Sequence, residues 1–180
     1  MSDYDNIKIK YCFKLNNQIH ENFDIQLDGK TLEIINGSHD NLPDWTKLEN
    51  HQCSHCPLEE SDHAHCPVAI SLVSVLDRFE NVVSHDELDL EVITSTRHVC
   101  QHTTAQKAIS SLLGLLFATS GCPYTNYLKP MARFHLPLAS EEDIIFRSAG
   151  MYLLAQYFLK QLGNTSDLEL AGLKRIYDVL

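Results

Sequence analysis

At 180 residues, 44% hydrophobic and without a low-complexity tract, the chain is long enough for one well-buried core and short for two. A formal net charge of −10 sets a repulsive field toward phosphate backbones, and the 14 Lys and Arg form no stripe, which disfavours nucleic acid as a partner. The most apolar run, Ile109 to Ala118, is shorter than the roughly 20 residues a membrane-spanning helix needs, and MSDYDNIKIKYCFKL carries no apolar signal region, so a cytoplasmic protein with reduced or metal-bound cysteines is expected.

Residues 7–14 alternate apolar and polar, residues 19–27 do so more weakly, and Asp28-Gly29 is a hairpin signal before TLEII at 31–35. Together they predict an antiparallel meander. Turn residues dominate from Asn36 to Asp44, and no period is sustained from Trp45 to His65. An irregular segment of that length is uncommon in a compact domain unless something ties it down, and a bound metal is one such tie.

Pro67 suits a first helical position, and Ala69, Leu72, Val73, Leu76 and Phe79 fall at helical spacing, predicting a helix over 67–81. Leu88, Leu90 and Val92 alternate with Asp89 and Glu91, which predicts a half-buried strand running on toward Cys100. Thr103 with Gln106 reads as a capping box opening a central helix, ended by a left-handed Gly121. Residues 122–139 hold three prolines and make neither one helix nor one central strand. Ser140 caps a helix that begins Glu141, Glu142, Asp143 and runs to about Leu162. A last helix is expected from Ser166 and Glu169, still amphipathic at Leu180 and offering an apolar face to a partner or a missing segment. The expected architecture is a single α+β domain: an antiparallel sheet of about four strands, mostly from the N-terminal half, packed on about four helices.

Residues 51–66, HQCSHCPLEESDHAHC, gather three cysteines and four histidines. Structural zinc takes four thiolate or imidazole ligands, and the Cys53-Ser-His-Cys56 turn places two thiolates on one side of an ion, with Cys66 returning nine residues later. Three of the six prolines directly follow cysteine, at Cys56, Cys66 and Cys122. That repeated dipeptide joins Cys122 to the other three as the preferred fourth ligand; His63 is the reserve, in a compact C-x₂-C-x₆-H-x₂-C knuckle, with His51, His55 and His65 behind it. The competing reading is buried free cysteines beside solvated histidines, and Cys12 and Cys100 are read in that way as strand or core residues.

His98, Cys100 and His102 would share one strand face, yet the preferred reading is a polar edge strand and they are left out of the metal set. Residues 131–147, MARFHLPLASEEDIIFR, offer His135 and Arg147 as catalytic candidates. His135 with Cys122 and a carboxylate would make a nucleophile, base and orienter, and Arg97 would join the same pocket. Against this stands a hydrogen-bonded core histidine next to a capped helix turn.

Taken together, CxxCPL…CPVA, TSGCP, KPMARFHLPLAS and YLLAQYFL resemble a bacterial family known only as a domain of unknown function, over roughly residues 40–180. The resemblance implies no activity, substrate or partner, but adds weight to Cys53, Cys56, Cys66, Cys122 and His135. The expectation is therefore a zinc-stabilised regulatory or interaction module, its zinc structural, with a protein or small-molecule partner and an open oligomeric state. The alternatives are an enzyme built around Cys122 and His135 and a thiol redox switch using Cys53 and Cys56.

Overall fold

Alternation in the first strand puts Ile9, Tyr11 and Phe13 on one face and lysines on the other, and the three apolar side chains are buried. The structure, a computed structural model, describes residues 6–15, 20–35 and 41–178. Strands β1 (Ile7–Leu15), β2 (His20–Leu27), β3 (Glu87–Thr94) and β4 (His98–Thr104) form one antiparallel sheet in the order β2-β1-β3-β4. Among the described residues there are five α-helices: α1 (Pro67–Phe79), α2 (Ala105–Thr119), α3 (Lys129–Arg133), α4 (Glu141–Gln161) and α5 (Ala171–Tyr177). The fold is thus α+β with a four-stranded antiparallel sheet.

The chain divides into two compact units, residues 1–138 and 139–180. In the first, the buried face of the sheet (Ile9, Tyr11, Phe13, Phe23, Ile25, Leu27, Leu88, Leu90, Val92) forms one core with Val75 and Phe79 of α1 and Ala105, Ala108, Leu112, Leu115, Leu116 and Ala118 of α2. Phe79 meets Phe13 edge-on at a centroid distance of 4.9 Å and stacks on Phe23 at 5.8 Å. The second unit holds α4 and α5. There the Asp167 carboxylate accepts hydrogen bonds from the Tyr152 hydroxyl at 2.9 Å and the Gly172 amide at 2.6 Å, fixing the loop that leads into α5.

Several expectations need correction. TLEII makes one bridge, Ile34 to Leu27, and no strand. The Asp28 carboxylate accepts the amides of Lys30 and Thr31, and Leu32 sits at φ 59, so the chain folds back on itself. The fourth strand comes instead from 87–104, where the segment read as one strand turns at Ser95–Arg97 into a hairpin. Thr94 closes it, its amide donating to the Arg97 carbonyl and its Oγ1 accepting the Arg97 amide.

The Thr103–Gln106 capping box does not form. The Ala105 and Gln106 amides donate to the carbonyls of Asp86 and Ser84 instead, which leaves Thr103 free to finish the strand. On α1 the buried face holds Val73, Val75 and Phe79, with Leu76 exposed. The last helix begins at Ala171, five residues after the expected Ser166, because Asp167 supplies the anchor. Residues 36–40 of the expected turn and the final residues at Leu180 lie outside the described ones.

Other expectations match. Gly121 and Gly163 follow α2 and α4 at φ 90 and 78, as helix stops do. Ser140 caps α4 in a full capping box with Asp143. Residues 122–139 break into a short 3₁₀ turn and the five-residue α3.

Candidate functional site: a Cys/His loop and a soft-ligand sheet face

The segment from Asp44 to Cys66 has more order than its lack of period implied. A 3₁₀ turn over Asp44–Thr46 opens it, and Lys47 bridges back to His65. Thr46, fully buried, donates to the Pro43 carbonyl and meets His65 Nδ1 at 2.7 Å, while its carbonyl accepts the Cys66 amide at 2.8 Å. Backbone and side-chain bonds therefore close the base of the loop.

Cys53 and Cys56 lie in one turn, closed by the Cys56 amide on the Cys53 carbonyl at 2.9 Å. The His55 ring packs edge-on against Tyr124 at a centroid distance of 4.4 Å, which sets this turn beside the segment two residues past Cys122. Cys66 is the N-cap residue of α1 with Pro67 in the first turn, and its carbonyl accepts the Ile70 amide. Cys122 follows the Gly121 stop, its amide bonded to Ser120 Oγ and its carbonyl accepting the Asn126 amide. All four thiols are free, Cys53 exposed and the others half-buried, and among the described residues no three of these sulfurs lie within 4.8 Å of one another. His63 is exposed, its amide turned back to the Glu59 carbonyl.

His135 and Arg147 fall in different units. The half-buried His135 meets the hydroxyl of Tyr11 through Nε2, and that hydroxyl also contacts Ser111 Oγ at 3.0 Å and the Ser111 carbonyl at 3.2 Å. Burial pushes the Tyr11 phenol well above its ordinary value, partly offset by the Ser111 contact. His135 thus joins a polar tie between β1, α2 and the loop before Leu138, whose amide also reaches Ser111 Oγ. Arg147 stands on α4 near Asp143, whose carboxyl is held below its usual range by the Ser140 bonds first and by Arg147 last. Arg97 is exposed in the β3–β4 turn.

The outward face of β3 and β4 carries a different set. Leu88, Leu90 and Val92 point inward, which turns Glu87, Asp89 and Glu91 toward solvent. Register places Glu91 opposite Cys100, Asp89 opposite His102 and Ile93 opposite His98. Cys100 Sγ lies 3.2 Å from His98 Nε2, and Glu91 Oε2 lies 3.8 Å from the same nitrogen. Lys14 Nζ grips the other oxygen, Oε1, at 2.6 Å, and that bond above all lowers the Glu91 pKa. His102 Nδ1 meets Asp89 at 2.8 Å, and this contact, then Glu87, raises the His102 pKa.

The spacing of His98, Cys100 and His102 puts them on one strand face, and register adds Glu91 to it. The signal that would have found it is the outward phase of the 88–92 alternation combined with a hairpin at 95–97. Cys12 and Cys100 are strand residues but not core: Cys12 is half-buried and Cys100 exposed on the sheet's outer side.

A family model described as a domain of unknown function (DUF6901) matches residues 9–180. The chain belongs to this family. The DUF6901 match takes in β1 from Ile9 onward and all of β2, beyond the roughly 40–180 span of the sequence resemblance. No curated relative and no solved structure matches the chain. Among the described residues of this DUF6901 domain, no helix is long and apolar enough to cross a membrane.

Proposed function

We propose that this domain is a non-catalytic regulatory or interaction module of a bacterial cytoplasm, stabilised by a structural zinc held by Cys53, Cys56, Cys66 and Cys122, with His63 the reserve ligand. The observation that carries the reading is the His55–Tyr124 contact, which brings the Cys53–Cys56 turn to the segment that follows Cys122. Four thiolates leave zinc no open position for water, so its contribution is to hold a loop, a helix start and a helix end together. Engagement of His135 Nε2 with the Tyr11 hydroxyl supports a structural post for that histidine over a role as general base. The module's partner is a protein or small molecule, in keeping with the −10 charge, which opposes nucleic acid.

The test is thermal melting of the full chain under reducing conditions, before and after removal of metal by a strong chelator. The melting temperature should fall by several degrees and recover on adding zinc, and Cys53→Ser should lose the response. A melt unchanged by chelation would contradict the reading. The exposed Cys53 beside Cys56 favours one alternative, the thiol redox switch, which predicts a Cys53–Cys56 disulfide under mild peroxide in protein that never held zinc.

A further inference from the structure

We propose that Glu91, His98 and Cys100 form a second, open metal site on the solvent face of the β3–β4 hairpin, selective for zinc-class divalent ions. The site is independent of the Cys/His loop: its residues come from two adjacent strands, and no loop cysteine takes part.

The geometry is that of a site one small adjustment from closure. One nitrogen, one oxygen and one sulfur ligand atom all lie within 4.8 Å of one another. Zinc with bond lengths of about 2.0–2.3 Å and tetrahedral angles spaces its ligand atoms about 3.3–3.6 Å apart. The separations of 3.2 Å from Cys100 Sγ to His98 Nε2 and 3.8 Å from Glu91 Oε2 to the same nitrogen bracket that range. The ladder holds the three backbones in register, so closing the site is a matter of side-chain torsions.

Orientation comes from Lys14. By holding Oε1, its ammonium turns Oε2 of the same carboxylate toward His98, the arrangement in which an outer partner positions a ligand. His102, one step along the same face, is already committed to Asp89 and Glu87, which leaves the triad as the group that gathers. The mix of imidazole, thiolate and carboxylate suits zinc and its spectroscopic substitute cobalt over magnesium or calcium, which take oxygen alone. On binding, the Cys100 thiol proton passes to solvent. Three protein ligands on an exposed face leave the fourth position to water or to a donor from a partner molecule.

Calorimetric titration of the reduced, metal-stripped full chain with zinc, paired with native mass spectrometry, tests this. The wild type should bind one more zinc than His98→Gln or Cys100→Ser, and both variants should keep the wild-type circular dichroism, since the two side chains are exposed. Cys53→Ser should keep the sheet-face zinc while losing the loop's. A wild type whose zinc is lost only on changing loop cysteines would overturn the sheet-face site and spare the loop. Zinc-free wild type would overturn both, and equal zinc binding by wild type, His98→Gln and Cys100→Ser would overturn this site alone.

Discussion

Tyr11 shows how much one side chain decides. Its ring is fully buried beside Phe13, and its hydroxyl is the shared partner of Ser111 on α2 and His135 in the loop after α3. Tyr11→Phe keeps the ring and removes the shared partner, and should cost about 1–3 kcal/mol in urea unfolding. The pH dependence has a definite sign. Burial raises the folded phenol above the unfolded value of about 10, so its contribution is complete below pH 10 and is lost as pH rises beyond that value. Unfolding followed from pH 8 to 11 should therefore show wild-type stability declining more steeply than that of Tyr11→Phe. The inward direction of Tyr11 was legible from its alternation with Lys10 and Cys12. Its polar partners were not, since they lie 100 and 124 residues away and no local period encodes them.

Elements with a period and a terminator were legible, and those governed by a single side chain were not. The β1 and β3 faces, the run of α2 and the start of α4 at Ser140 follow from spacing and capping chemistry alone. Residues 31–35 carry strand-forming composition, yet the Asp28 carboxylate captures the Lys30 and Thr31 amides and the segment folds back with a single bridge, Ile34 to Leu27. Asp167 does the same work before α5, where a Ser-x-x-Glu pattern pointed elsewhere. Gly121 is the sharpest test at this scale, because its φ of 90 is costly for any residue with a Cβ, although open space surrounds the position. Gly121→Ala should cost about 1 kcal/mol or more, through backbone strain with no clash, and a urea denaturation midpoint measures it. A neutral result would mean that α2 ends without need of the left-handed turn.

Across the whole molecule, soft ligands sit at two places that differ in kind. In the loop, His55 packs on Tyr124 and sets the Cys53–Cys56 turn beside the segment that follows Cys122, while among the described residues no three of the four thiols lie within 4.8 Å of one another. The Glu91–His98–Cys100 group arises from strand register, so it became visible only once 88–100 was resolved into two strands. The second unit carries neither set; α4 there displays Ile145, Phe146, Leu154 and Phe158 to solvent. Membership in the DUF6901 family spans both units but brings no activity with it, and the functional account therefore rests on metal chemistry. The most direct test of its central claim is the zinc content of the full chain, purified under reducing conditions, measured by elemental mass spectrometry against Cys53→Ser/Cys56→Ser. The account predicts zinc that survives gel filtration and falls by one equivalent in the double variant; zinc-free wild type, or zinc unchanged by the double substitution, would contradict it.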